Sequence, residues 1–470
     1  MKSVTVAQSS VEVGDPHICS DSADRNSLIY SMYEPLVSRD DSGRFRPSLA
    51  VRWAVESDGL TWIFRLREGV EFHNGEALKA GDVVSSLKRV VDPSLGGAYG
   101  TQGVYASYIG DARFMAARRD TVKIVTGEPI ADLLDLLSEM PIAPGDEIDG
   151  LPKEYIGTGP WLAAEKGRDK VVLERFKDYW GEAPSADESS WLRITKPTER
   201  ARMVADREAD IGTRVGVEGR ESLDGQGDIN VSSLESSLCI IQMFNASEGV
   251  CTDKRVRQAL NYAVDKEEVI RNVKKGAATP LNGYLTPHHF GYDPETEPYP
   301  YDPGKARRLL SEAGHRSGLK IVMDAPTSMP DEAPELAELM KRQYALVGVE
   351  ADIRLYRDRP AYAEMVRSKK IHDICCFDSS PRSAFRVLRE KLHSGFKGPW
   401  WQGYSNPQVD QLISVAQRTF SDEARQSVYR QIYRLVRDDA PWVFLYSPTF
   451  FWAVGSSCKW RPGSDGLIRI

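Results

Sequence analysis

The chain has 470 residues, with 61 Lys and Arg against 68 Asp and Glu for a formal net charge of −7, and 41% hydrophobic residues. That length exceeds one ordinary hydrophobic core and predicts roughly three units at about 150 residues each. Charges of both signs are interspersed, which leaves no basic patch of the kind nucleic acid needs, and no apolar run approaches the about 18 residues of a membrane span.

Residues 1–36 predict a first strand, a loop over 14–24, and a helix carrying Leu28, Ile29, Met32 and Tyr33. The start, Met1-Lys2-Ser3-Val4-Thr5-Val6, enters a strand-like alternation without the long apolar core of a secretory signal. The stretch 58–93 has the densest pattern of the chain. Trp62, Phe64 and Leu66 alternate with Ile63, Arg65 and Arg67, the period of a strand with one buried face. Glu68-Gly69 turns the chain, and Val70 and Phe72 resume an alternation up to Asn74-Gly75, which predicts a strand pair. Asp82 is placed to cap a helix whose Val83, Val84, Leu87, Val90 and Val91 form one stripe and which Asp92-Pro93 ends.

Further on, residues 131–140 predict more helix, 171–174 and 191–194 strands, and 198–208 a helix followed by Ala209-Asp210-Ile211-Gly212-Thr213-Arg214. Residues 238–245 read as a buried strand, followed by helices at 253–263, 267–275 and 303–313, the last with Asp302 as cap and Gly314 as stop. Strand 319–324, helix 334–347, strand 349–355, helix 360–369 and strand 371–377 then alternate at lengths that predict parallel βαβ units. Asn406-Pro407 opens another helix with Val409, Leu412, Ile413 and Ala416 on one stripe, a longer helix covers 422–437, and strands are expected at 442–446 and 449–454.

Six cysteines allow 15 full pairings. Cys239 and Cys251 flank a short excursion after a strand and are the pair a disulfide would join; Cys375 and Cys376 sit in an apolar run and read as buried thiols. Catalytic signatures are scarce, since GxSxG, HExxH and GxxxxGK are all missing. Ser85-Ser86-Leu87-Lys88 fits an SxxK serine and lysine pattern without its companion motifs, on a helix that packing already explains. His288 and His289 with Asp293 and Glu295 have ligand chemistry suited to nickel or zinc but lie on a Pro-rich loop that reads as polar surface. The reading is therefore a non-enzyme with no catalytic residue, metal or cofactor, a serine and lysine hydrolase being the alternative of another class.

The order strand, Arg67-Glu68-Gly69, Asn74-Gly75, Asp82-Val83-Val84 to Lys88-Arg89 resembles the family 5 extracellular solute-binding proteins, the oligopeptide, dipeptide and nickel type that serves ABC importers. Tyr33-Glu34-Pro35-Leu36-Val37, Pro47-Ser48-Leu49-Ala50, Gly157-Thr158-Gly159-Pro160-Trp161, Phe244-Asn245, Arg255 to Asp265 and Asn406-Pro407 with Asp410 extend the resemblance over nearly the whole chain. It implies an α/β, two-lobed periplasmic binding protein fold with mixed sheets, a two-strand hinge and an accessory subdomain in lobe 1. Residues 1–36 and 156–243 would form lobe 1, 37–155 its accessory subdomain, and 244–446 lobe 2, with 447–470 returning to lobe 1. The expected partners are a small-molecule ligand and an ABC permease at the inner membrane, without nucleic acid, and the expected state is a periplasmic monomer whose leader has been removed.

The resemblance puts Arg25, Asn26 and Ser27 at a cleft-facing turn and Arg214 at a cleft edge. In the family's peptide carriers a turn near 378–382 presents an acid to the ligand's amine. Here it holds Asp378, Ser379, Ser380 and Arg382; Arg382 falls near the expected acid, and Asp378 supplies it if the loop is gapped. The dipeptide carriers place an arginine for the ligand carboxylate ahead of helix 334–347, where this chain has Thr327-Ser328-Met329. Trp400, Trp401 and Tyr404 read either as core or as an aromatic cleft wall. These substitutions predict a small anionic solute of opine-like or sugar-phosphate kind, with an oligopeptide or dipeptide as the alternative.

Overall fold

The computed structural model describes residues 2–18, 22–96 and 103–470. Among them the chain divides into two compact units. Unit 1 runs from the N-terminus to Leu234 and takes up Phe450–Ile470 again, and unit 2 is Glu235–Thr449. The strand Trp442–Gly455 belongs to both.

In unit 1 the strand Ser3–Gln8 lies parallel to Ile211–Gly212 on one side and to Glu188–Arg193 on the other, and Lys170–Arg175 and Trp161–Lys166 extend the sheet antiparallel. Residues Ala453 and Val454 close it against Ile211–Gly212. The helix Ala23–Met32 covers this sheet, and Val6, Leu28, Met32, Trp161, Trp191, Trp452 and Ile468 share one core. Burying a side chain such as Leu28 or Met32 contributes about 1.5–3 kcal/mol relative to leaving it in water.

The alternation at 61–66 is realised as the strand Thr61–Leu66, with Trp62, Phe64 and Leu66 buried. Its expected partner is different. Val70 and Phe72 are buried but form no strand; they fill the core from a loop that carries only the isolated bridge Glu71 to Ala77. Thr61–Leu66 pairs instead with Ala50–Val55 and Thr121–Val125, and Arg113–Arg118 completes a four-stranded antiparallel sheet. Asp82 also acts from a different post. The helix is Ala80–Val90, and Asp82 in its first turn reaches back to accept the Lys79 N–H at 2.8 Å.

In unit 2, Leu319–Pro326 lies parallel to both Val349–Tyr356 and Ile374–Ser379, joined through the helices Ala333–Ala345 and Arg359–Arg367. Cys239–Phe244 follows antiparallel and then pairs with the first half of Trp442–Gly455. The two strands expected at 442–446 and 449–454 are thus one, running through Pro448. The disulfide is also corrected. Cys239 and Cys251 are both free and buried, as are Cys375 and Cys376; Cys458 is free and half-buried. The Cys239 thiol faces the Tyr284 carbonyl at 3.7 Å, and Cys251 sits under the helix Lys254–Tyr262, its own carbonyl taken by Arg257 at 3.0 Å. Cys19 lies outside the described residues.

Candidate functional site

Ligands of open α/β sheets bind at the carboxyl ends of the parallel strands. In unit 1 those ends are Gln8-Ser9-Ser10 and Thr213-Arg214, brought side by side by the pairing of Val6 with Ile211 and Ala7 with Gly212. Arg200 shapes this edge. Its guanidinium donates to the carbonyls of Ile194, Thr195, Thr213 and Arg214 at 2.5 to 3.0 Å, which holds Arg214 in the left-handed region at φ 46. The Arg214 side chain itself is half-buried, stacks over the Phe450 ring at 4.4 Å, and makes no hydrogen bond or ion pair among the described residues. Burial lowers its pKa, opposed by the charge of Asp24. Asp24 accepts the Ser9 and Ser10 backbone N–H groups at 3.0 and 3.1 Å. Beside this edge Gln8 Oε1 and Thr213 Oγ1 are buried without partners among the described residues, and Gln8 spends its amide N–H on Ser10 O at 2.7 Å.

The other unit 1 candidates are used within the unit. Arg25 Nε donates to Val13 O at 2.7 Å and its other nitrogens to Ile18 O and Asp15 O, which ties down the loop ahead of its helix. Asn26 is half-buried, its N–H bonded to Ser22 O. Ser27 is buried; its hydroxyl donates to Ala23 O at 2.7 Å and accepts from Ile468 N at 3.0 Å, anchoring the C-terminal segment.

In unit 2 the turn Asp378 to Arg382 leaves the carboxyl end of Ile374–Ser379 and leads into the helix Ala384–Lys391, capped by Ser383. Ser379 is 1% exposed and its Oγ has no hydrogen-bond partner among the described residues. Ser380 and Arg382 are half-buried. His289 pins the turn: Thr286 N donates to its Nδ1 at 3.2 Å, so Nε2 carries the hydrogen given to Pro381 O at 3.0 Å. Burial, helped by the nearby Arg382 charge, pushes His289 down to about 4, which keeps it neutral. Asp293 and Glu295 pair with Arg434 at 2.7 and 3.0 Å instead of meeting the histidines.

The Trp400 ring packs at a tilt against Phe377, 5.0 Å between centroids, with Lys391 Nζ 5.8 Å from it, and so adjoins this turn. Trp401 and Tyr404 form a separate cluster. Trp401 Nε1 donates to Tyr404 O at 2.6 Å, and Tyr404, 4% exposed, donates its hydroxyl to Asp439 at 2.7 Å. In unit 1, Lys88 is exposed and Ser85 half-buried, while the neighbouring Ser86 bonds Ala143 through its hydroxyl.

Sequence reasoning missed Arg359. It opens the helix after Val349–Tyr356 and donates Nε to Met329 O at 3.1 Å, in the loop where the peptide-carrier pattern had suggested looking for an arginine. The available signal was topological: Asp358-Arg359-Pro360 directly follows a parallel strand, the position that puts a residue at the sheet's carboxyl edge.

Residues 44–383 match the family described as "Bacterial extracellular solute-binding proteins, family 5 Middle". The chain belongs to this family. It is the substrate-binding protein of an ABC importer, with the two-lobed α/β fold of periplasmic binding proteins. This family 5 solute-binding protein is 28% identical over 451 residues to the glutathione-binding protein GsiB of Pectobacterium atrosepticum, covering 92% of this chain and 85% of the relative. Among solved structures it resembles the Helicobacter pylori DppA in complex with the peptide STSA, with a TM-score of 0.82 at 22% identity, covering 99% of this chain and 96% of that one. It also resembles AgaA from A. tumefacien R10 in complex with agropinic acid, with a TM-score of 0.80 at 20% identity, covering 96% and 93%. Among the described residues no helix is long and apolar enough to cross a membrane.

Proposed function

We propose that this protein captures a small anionic solute, of opine-like or sugar-phosphate kind, and presents it in the periplasm to a permease at the inner membrane, acting as a monomer without catalysis. The reading takes residues 37–155 as an accessory subdomain of the first lobe. The observation that carries it is Arg214, a half-buried guanidinium at the carboxyl edge of the unit 1 sheet, without acid or hydrogen-bond partner among the described residues. A desolvated arginine fork with nothing to grip suits a carboxylate or phosphate. Arg382, Ser379 and Ser380 at the unit 2 turn offer a further cation and hydroxyls, and Trp400 an aromatic face. Relatives that carry glutathione and agropinic acid support an acidic ligand.

A peptide is the second reading, favoured by Asp378, a half-buried carboxylate at the turn where peptide carriers present an acid to the ligand's amine. Calorimetry against opines, sugar phosphates, glutathione and dipeptides separates the two. Arg214→Ala should weaken the anionic ligand by about 2–5 kcal/mol, since truncating one member of a buried charged pair strands the other. Tight binding of a neutral dipeptide, unchanged in Arg214→Ala and Arg382→Ala, would sink the anionic reading.

A further inference from the structure

The four-stranded sheet of unit 1 has one face against protein and one against water. Trp62, Phe64, Leu66, Val122 and Ile124 are buried, and the helix Ala80–Val90 packs on the sheet. The strands Ala50–Val55, Thr61–Leu66, Arg113–Arg118 and Thr121–Val125 hold five cationic side chains and no acidic one, in a chain whose net charge is −7. Strand alternation puts all five on the face away from the buried side chains. Pairing gathers them from distant parts of the sequence: Arg52 lies opposite Arg65, Arg65 opposite Thr121, and Thr121 opposite Arg118. In the next outward row Ile63 lies opposite Lys123 and Lys123 opposite Met115, and Arg113 lies opposite Val125 beyond them.

Two of the five cations have acids nearby, all outside the strands. Asp120 and Glu68 lie 2.9 and 3.5 Å from Arg65, and Glu56 lies 3.4 Å from Lys123. Arg52, Arg113 and Arg118 are exposed and make no ion pair or side-chain hydrogen bond among the described residues. Met115, 41% exposed, stands among them. Like charges directly opposite on neighbouring strands destabilise a sheet, as Arg52 and Arg65 do here. The array therefore draws no counter-charge from its own strands and presents its charge outward. Its cations are spread over a sheet surface, with neighbouring strands about 4.8 Å apart, and an apolar side chain projects between them. Anionic headgroups over an acyl layer complement such a face, since each Lys or Arg near the surface attracts them and a thioether reaches the apolar boundary.

We propose that this face docks the protein on an anionic phospholipid surface, with Arg52, Arg113 and Arg118 meeting lipid phosphates. The proposal goes beyond solute capture and needs no ligand. Docking there shortens the diffusive path from the carrier to a membrane-embedded partner.

The test is flotation of the full chain with vesicles of phosphatidylglycerol and phosphatidylcholine in equal parts, against vesicles of phosphatidylcholine alone. The expected result is binding to the mixed vesicles at low salt, none to the neutral ones, and release at about 1 M salt, where the Debye length is about 3 Å. The triple variant Arg52→Gln, Arg113→Gln, Arg118→Gln should bind at least about thirtyfold more weakly. A control with the same loss of charge, Arg168→Gln, Arg271→Gln, Arg308→Gln at exposed positions off this sheet, should bind as the wild type does. Met115→Glu, a single exposed change within the face, should weaken binding in the same sense and keeps the test decisive if the triple variant does not fold. Absence of binding to the mixed vesicles, or equal weakening by the triple variant and the control, overturns the proposal. Binding to polyglutamate without binding to the vesicles assigns the face to an acidic protein surface and overturns it as well.

Discussion

Individual side chains set chemical behaviour that can be read directly. Cys239, Cys251, Cys375 and Cys376 are at most 1% exposed, and burial pushes their thiols far up, so they are inert in the folded protein. Alkylation of native protein should therefore reach Cys458 alone among the five described cysteines, and alkylation in denaturant should label all five without prior reduction; peptide mapping that finds Cys239 joined to Cys251 would contradict the free thiols. His289 carries a pH signature. Its folded value of about 4 lies below the usual 6.5, so between those limits the unfolded chain binds a proton that the native state refuses, and stability falls as pH falls. The loss at this one residue amounts to about 3 kcal/mol. The stability advantage of wild type over His289→Gln should accordingly shrink as pH is lowered from 7 to 4 in urea unfolding; an advantage constant with pH would exclude a neutral buried imidazole. The burial of Cys375 and Cys376 was legible in their apolar run, but the free state of Cys239 and Cys251 and the anchoring of His289 were not. The spacing of Cys239 and Cys251 suits a short bridge, and only the packing of each under a different neighbour rules it out, while the anchoring of His289 to Pro381 joins residues far apart in the chain.

At the scale of elements, motifs that identify the family turn out to be packing devices. Gly157 and Gly159 lie against the last carbonyls of the helix Ala23–Met32: Gly159 N donates to Met32 O at 2.9 Å, and a Cβ on Gly157 would come within 2.1 Å of the same oxygen. Gly157→Ala should cost about 1–3 kcal/mol or more through overpacking. Thermal melting checks this, and a wild-type midpoint would show that the segment shifts freely. Most helices and strands were legible because their apolar periodicity is clean, as in Thr61–Leu66 and in the βαβ run from Leu319 to Ser379. Partners were less so. Val70 and Phe72 have a strand's alternation but not its length, and the chain pairs Thr61–Leu66 with Thr121–Val125 instead, a choice made by long-range packing that local pattern does not carry. The candidate site divides the same way. Arg214 and Ser379 stand at or just past strand ends and Arg382 in the turn after one, positions to which the resemblance and the order of strands pointed; Ser27, Trp401 and Tyr404 have the right residue types, but their hydrogen bonds are made inside their own units.

For the whole molecule, the strand Trp442–Gly455 contributes to both units, and unit 1 depends on the segment beyond it. Trp452, Val454 and Ile468 are members of the unit 1 core, and Ala453 and Val454 close the edge of Ile211–Gly212. A chain ending at Thr449 should therefore keep unit 2 protected in hydrogen exchange while unit 1 loses protection throughout; retained protection at Ser3–Gln8 would show that the core closes without its last segment.

The same arrangement fixes an order of birth. Chains are synthesised at about 5–20 residues per second, and domains fold as units once complete. Among the described residues unit 2 is the single stretch Glu235–Thr449, finished while the ribosome has yet to make Phe450–Ile470. Unit 1, though its first strands precede unit 2, must wait for Phe450–Ile470 with the place of Trp452 open. The unit whose strands are made earlier is the one completed later, and until then it depends most on chaperone cover.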